Sequence, residues 1–248
     1  MLNTSAMIRT GFAALLALTS AASSARADLQ ASFTSASPSE GINYTLNSAN
    51  GSTNAGVMNF TVSGGTDASK FSSPFKAFCA DLVQTIGGGT NTFSVVNPSA
   101  LPQAVANSAL PSLITSRLTE LWGKYYSQTT TSAGAAAFQV SVWEIIYDTS
   151  ATTGPSLTSG KFSLQASSQS GTKYTLASSW LASLNGDTSA FTTNFSGLQV
   201  VGIASGSVQD QVTLAAAPAN PVPAPAGLVL GLIGVGALFG RSRMTRRA

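Results

Sequence analysis

The chain has 248 residues, no histidine, a single cysteine and only 8% charged residues. Without histidine, Ser-His-Asp and Cys-His catalysis and most zinc and copper sites are excluded. The formal charge of +3 comes from the two ends, because residues 28–216 contain six basic and nine acidic residues, a net charge of −3. No basic patch is left in this region, so a nucleic-acid-binding function is set aside.

The first 27 residues have the layout of a secretory signal peptide. Arg9 precedes the apolar run GFAALLAL, and small residues follow up to Ala25 and Ala27, which form an A-x-A cleavage site. The apolar run is far shorter than the roughly 20 residues that span a bilayer, which disfavours an uncleaved anchor. We therefore expect residues 1–27 to be removed on export and the mature chain to begin at Asp28.

The mature chain opens with a β-rich segment. From Asp28 to about Gly64, short blocks of alternating apolar and polar residues are separated by Pro, Asn-Gly and Gly-Gly turn signals, which is typical of β-hairpins. The segment 75–86 contains the stretch FKAFCADL and is predicted to continue as a strand up to three consecutive glycines.

Three helices are predicted in the middle of the chain, over 111–126, 133–148 and about 175–184, from apolar residues at i, i+3 and i+4 spacing. The second is apolar nearly all round, so we expect it to be buried. Strand alternation returns in the last part of the domain. We therefore predict one α+β domain over 28–216, with β-rich N- and C-terminal segments packed against a central three-helix lobe.

The nine acids are scattered and form no calcium-binding loop, and no phosphate-binding or dinucleotide-binding glycine motif occurs. We predict no metal site and no cofactor. A glycosidase would need two carboxylates brought together by the fold, and Asp81 with Glu144 is the pair we consider.

Cys79 is the residue that most needs a role, because an unpaired thiol in an exported protein is prone to oxidation. It could be a small buried hydrophobe, or it could form an intermolecular disulfide. Gln139 raises a similar question, because it lies on the apolar second helix and a buried amide without partners costs about 1–3 kcal/mol. A hydrogen bond to a neighbouring strand would satisfy it.

The dipeptide FC at 78–79 and the segment QVSVW at 139–143 resemble the thioester domains of Gram-positive surface adhesins. In that family a Cys in a [YF]-C motif is joined covalently to a Gln in a Q-x-[AS]-x-W motif. The resemblance implies that Cys79 and Gln139 form the thioester and that Trp143 belongs to its apolar cover. Phe138 stands where the family usually has Thr.

Four further side chains complete this predicted site. Phe78 and Phe138, with Trp143, would keep water away from the thioester. Glu144 or Asp81 could move protons during acyl transfer, although each could instead be a solvated or capping acid. Capture through a thioester is a single covalent event, so we do not predict an enzyme.

The C-terminal end resembles a PEP-CTERM sorting signal of the VPxPA type. A Pro/Ala-rich linker, 217–225, leads into an apolar, glycine-rich segment, 226–240, and an arginine-rich tail, 241–248. The motif consists of Val222, Pro223, Ala224, Pro225 and Ala226, and the tail contains Arg241, Arg243, Arg246 and Arg247. The resemblance implies a transmembrane sorting helix, a cytoplasmic tail and processing by an exosortase. Ala224 stands where the family usually has glutamate.

These observations predict an exported protein of the cell surface or extracellular polymer matrix, inserted transiently in the inner membrane before sorting. The leading hypothesis is an adhesin whose Cys79–Gln139 thioester captures an amine or hydroxyl group of a surface polysaccharide or protein. The alternative is a structural component of the biofilm matrix in which both residues are only packed in the core. A secreted carbohydrate-active enzyme is a third, more distant alternative.

Overall fold

The computed structural model describes residues 28–107, 110–149 and 154–218, and the structural statements below refer to that part of the chain. The first two strands, β1 (Asp28–Leu46) and β2 (Ala49–Gly64), form a long antiparallel hairpin. They are joined by a two-residue turn in which Asn47 and Ser48 have φ angles of 49° and 69°. Positive φ at both turn residues matches the twist of the strands and keeps the hairpin tight.

The other strands are shorter, at three to seven residues each. The remaining strands are β3 (Phe75–Cys79), β4 (Thr90–Val96), β5 (Phe162–Leu164), β6 (Leu198–Ala204) and β7 (Gln211–Ala216). The α-helices are α1 (Pro102–Asn107), α2 (Pro111–Tyr125), α3 (Ser132–Asp148), α4 (Gly171–Ser183) and α5 (Ser189–Asn194).

Six strands form a closed antiparallel barrel in the order β1-β2-β3-β7-β6-β4, with β4 pairing back onto β1. The seventh strand, β5, pairs with the far end of β1. The prediction of an α+β domain with β-rich ends around a central three-helix lobe is therefore wrong. The C-terminal strands β6 and β7 insert between β3 and β4. Such long-range pairing cannot be predicted from the alternation of apolar and polar residues within each strand.

The barrel interior is filled with side chains, as is usual for small barrels. A cluster of buried residues draws on all six strands: Leu29, Ala31, Phe60, Phe75, Ala77, Phe93, Val201, Ile203 and Ala215. Phe60 is central to it, stacking on Phe75 at 5.3 Å and meeting the edge of Phe93 at 6.2 Å between ring centroids.

A second buried cluster lies between the barrel and its helices, and α3 is the helix most deeply buried in it. Residues Gly134–Tyr147 of α3 are all buried, as its nearly all-apolar sequence predicts. The helix begins behind Thr131, whose Oγ1 accepts a hydrogen bond from the Gly134 N–H at 3.1 Å. Buried between the barrel and other helices, α3 can direct side chains onto the ends of the strands.

The three predicted helices are present, although α4 begins at Gly171 instead of near residue 175. Two short helices, α1 and α5, were not predicted. Each has six residues, which is too short for an apolar periodicity to stand out in the sequence.

Several predicted segments lie outside the described residues, namely the signal peptide 1–27, the sorting motif, the predicted sorting helix 226–240 and the arginine-rich tail. Of the linker, only residues 217–218 are described. Within the part of the chain that the structure describes, no helix is long and apolar enough to cross a membrane.

Candidate functional site

The structure brings Cys79 and Gln139 together, although 60 positions separate them in the chain. The Cys79 N–H donates to Gln139 Oε1 at 2.8 Å, and Gln139 Nε2 donates to the Cys79 carbonyl at 2.8 Å. Cys79 is 2% exposed and Gln139 is 1% exposed. The carboxamide of α3 is therefore held flat against the main chain at the last residue of β3.

This contact arises because β3 lacks a strand partner at that position on one side. Toward β7, Cys79 is in register with Gln211, and the Ala80 N–H donates to the Asp210 carbonyl at 2.8 Å. Toward β2, the pairing of β3 covers only Phe75–Ala77, opposite Met58–Phe60. The amide of Gln139 takes the place of a strand there and satisfies both main-chain groups of Cys79.

The Cys79 sulfur has polar neighbours of its own. Trp143 Nε1–H donates to Sγ at 3.4 Å, and the thiol donates to the Asp81 carbonyl at 3.1 Å. Burial raises the pKa of the Cys79 thiol to about 12, against the weaker effect of the Trp143 hydrogen bond. The group is therefore a protonated thiol at neutral pH.

The three aromatic residues predicted to surround the pair all lie in the buried cluster with it. Phe78 and Phe138 have ring centroids 4.4 Å apart, and Trp122 of α2 meets the edge of both rings. Trp143 contacts the sulfur through its indole nitrogen, so it is a hydrogen-bond donor as well as apolar cover.

Asp81 has a capping role in this arrangement. Its Oδ1 accepts from the Val83 N–H at 2.7 Å, a contact from a side chain to the main chain two residues on that stabilises a turn. The predicted strand over 75–86 is therefore wrong beyond Cys79, where β3 ends. Alternation alone suggested a longer strand because an aspartate that caps a turn looks the same in sequence as a polar strand residue.

Glu144 is 1% exposed, and its hydrogen bond goes to the loop after α3. Oε1 accepts from the Ser156 N–H at 2.7 Å, and no described group donates to Oε2. Burial raises the pKa of Glu144 to about 8, Asp148 adds to this, and the nearby Arg117 guanidinium opposes it. None of the interactions found among the described residues links Glu144 to Cys79 or Asp81, so the structure does not assemble Asp81 and Glu144 as a carboxylate pair.

Two residues of the site were not predicted from the sequence, namely Tyr147 of α3 and Asp210 next to β7. The Leu82 N–H donates to the Tyr147 hydroxyl at 3.0 Å, which fixes the segment after Cys79 to α3. Gln139, Trp143 and Tyr147 recur every four residues along the helix. That spacing places them on one face and is the signal that could have identified Tyr147.

Asp210, next to the β7 partner of Cys79, is 1% exposed. Its Oδ1 accepts from the Ser205 N–H at 2.7 Å, and burial, with the nearby Asp81, raises its pKa to about 6.

Among the described residues, no three His, Cys, Asp or Glu side chains gather closely enough to hold a metal ion. Comparisons with protein-family models, curated proteins and solved structures gave no match.

Proposed function

We propose that this protein is an exported surface or matrix protein that attaches covalently to a partner through a thioester between Cys79 and Gln139. The proposal is supported above all by one contact, in which the Gln139 carboxamide lies on the main chain of Cys79 with two hydrogen bonds of 2.8 Å. The reactive carbonyl is thereby fixed beside the residue that carries the thiol.

Formation of the thioester balances with these two residues alone. The Cys79 sulfur attacks Cδ of Gln139, the bond between Cδ and Nε2 breaks, and the thiol proton leaves with the amide nitrogen as ammonia. The Cys79 N–H already donates to Oε1, where negative charge develops during the attack. A preorganised donor at that oxygen stabilises a tetrahedral intermediate, as an oxyanion hole does.

The buried surroundings serve the same chemistry. A thioester is lost to hydrolysis if water reaches it, and both residues are almost completely buried under aromatic side chains. The raised pKa of Cys79 disfavours the thiolate, so the thiol proton has to move to the departing amide nitrogen as sulfur attacks.

A packing role is the second candidate, and the same contact favours it. With both amide atoms bonded to main-chain groups, Gln139 incurs no penalty for burial and caps the free side of β3. In that case the protein is a structural component of the matrix, and Cys79 is a small apolar residue.

The proposal also includes export and sorting by an exosortase. This part is supported by the signal-peptide and sorting-signal sequences at the two ends of the chain. Neither candidate involves turnover. The partner is a surface amine or hydroxyl group in the first case and other matrix components in the second.

Methylamine labelling separates the two candidates. A thioester is expected to take up one methylamine at Gln139, which peptide mapping by mass spectrometry locates, and to release one thiol at Cys79. Cys79→Ala should abolish the labelling, whereas Gln199→Ala, which removes a half-buried glutamine of β6, should leave it unchanged. Equal labelling of the wild-type protein and Cys79→Ala would contradict the proposal.

A further inference from the structure

A cavity of about 330 Å³ is lined in part by the segment that follows Asp81, and neither Cys79 nor Gln139 is among the described residues that line it. It lies between the β1–β2 hairpin and the segment after β3. Its lining includes Tyr44, Met58, Leu82, Gln84, Thr85 and Gln209. The volume falls at the small end of ligand pockets, which span roughly 300–1,000 Å³.

The cavity is one carbonyl group away from the Cys79 sulfur. The Asp81 carbonyl accepts the thiol of Cys79 at 3.1 Å and also accepts Nε2 of Gln209, a lining residue, at 2.9 Å. A ligand in the cavity is therefore separated from the buried pair by a single turn of chain. That turn, from Asp81 to Gln84, rests on the hydrogen bond from Leu82 to Tyr147.

Tyr44 lies on the hairpin side of the cavity. It is in register with Gly51 of β2, and a Cβ at Gly51 would meet the Tyr44 ring. The ring is also stacked on Phe162, at 6.2 Å between centroids. Burial and, to a lesser degree, the nearby Cys79 raise the pKa of Tyr44, so its hydroxyl is a neutral donor and acceptor at neutral pH.

The side chains that line the cavity indicate which kind of partner group it can bind. None of the described residues that line the cavity carries a charge. They offer the hydroxyl groups of Tyr44 and Thr85 beside the apolar Met58 and Leu82, whereas the amide nitrogens of Gln84 and Gln209 already donate within the protein. A lysine ammonium group would find no counter-ion there, whereas a sugar ring would find hydroxyl partners and apolar contacts.

We propose that this cavity binds a neutral sugar unit of a polysaccharide and that displacement of the Asp81–Gln84 turn brings one of its hydroxyl groups to the Cys79–Gln139 thioester. The inference rests on the proposed function for the covalent step, but not for the reversible binding of the sugar. In the covalent step, the sugar oxygen attacks Cδ of Gln139 and the bond between Cδ and Sγ breaks. The hydroxyl proton passes to sulfur, leaving an ester on Gln139 and a thiol on Cys79.

Reversible binding is tested by titrating the ¹⁵N-labelled protein with glucose, galactose, mannose and N-acetylglucosamine and following the NMR signals of the cavity residues. At least one sugar should give saturable shifts at Gln84, Thr85 and Gln209. Tyr44→Phe and Thr85→Val should each weaken its binding by roughly 3- to 10-fold, the effect of one lost neutral hydrogen bond. Thr61→Val, at an exposed position of β2 outside the cavity, is the matched control and should bind as the wild type does.

The result that overturns the proposal is an absence of shifts with all four sugars, or tighter binding of the charged probe N-acetyl-lysine amide to the same residues. The two proposals fail separately. Sugar binding without any Gln139 adduct would retain the cavity and contradict the thioester, whereas methylamine uptake without sugar binding would retain the thioester and contradict the cavity.

Discussion

Replacing Gln139 with alanine is expected to lower the free energy of unfolding by roughly 3–5 kcal/mol in protein whose Gln139 amide is intact, because the Cys79 N–H and carbonyl would both be left buried without a partner, at about 1–3 kcal/mol each. The two lost bonds are each 2.8 Å long and completely enclosed. Urea unfolding followed by circular dichroism measures the change. Gln199→Ala is the control and should stay within about 0.5 kcal/mol of the wild type. A loss below about 1 kcal/mol for Gln139→Ala would show that the main-chain contact contributes little.

Cys79→Ala tests in the same way whether the Cys79–Gln139 thioester is present. The substitution keeps the main-chain hydrogen bonds to Gln139 but removes the sulfur that accepts the buried Trp143 Nε1–H, so a protein without a thioester should lose about 1–3 kcal/mol. A thioester instead closes a loop of about 60 residues, and the chain-entropy treatment of such a cross-link assigns it about 4 kcal/mol. A large loss for Cys79→Ala therefore supports the covalent bond, and a small loss supports packing alone.

The second large effect concerns Glu144 and pH. The pKa of Glu144 is about 8 in the folded protein, against about 4.3 for an unfolded glutamate. Between these values the folded state retains a proton that the unfolded state has lost, so stability should fall as the pH rises. The loss should reach a few kcal/mol by pH 8, since each unit of pKa displacement corresponds to about 1.4 kcal/mol.

Glu144→Gln should remove most of this dependence of stability on pH, because an amide does not titrate. The amide oxygen can still accept the Ser156 N–H, so the contact itself is kept. Urea midpoints at several pH values measure the slope of stability against pH, and the interval from pH 6 to 8 is the most informative because the pKa of the buried Asp210 is about 6. Glu40→Gln removes the same charge from a partly exposed pair with Lys173 and should leave the slope intact. A Glu144→Gln slope equal to that of the wild type would contradict this assignment.

What could be predicted from the sequence follows from the range of the interactions involved. The three longer helices and the alternation of the first hairpin depend on neighbours a few residues apart, and both were predicted. The closed barrel was not, because it depends on β6 and β7 inserting between β3 and β4. The barrel also requires β1 to pair with β4 at its start, and the pairing of β1 with β5 outside the barrel is equally long-range.

The candidate site shows the same division. Cys79 and Gln139 were singled out by their motifs, and the fold places them in contact. A capping role was one of the alternatives for Asp81, but the end of β3 at Cys79 was missed because strand alternation does not distinguish a cap from a surface residue. The cavity could not be foreseen either, since its lining joins residues of the first hairpin, the segment after β3 and the approach to β7.

The most direct test of the covalent Cys79–Gln139 bond is the intact mass of the protein purified after export, under conditions that exclude added amines. A thioester predicts a mass lower than that of the processed sequence by one ammonia, and methylamine should then add to the protein once. If hydrolysis has occurred, peptide mapping should find glutamate at position 139 beside a free Cys79. A full mass with glutamine intact at position 139 and a thiol at Cys79 would contradict the account.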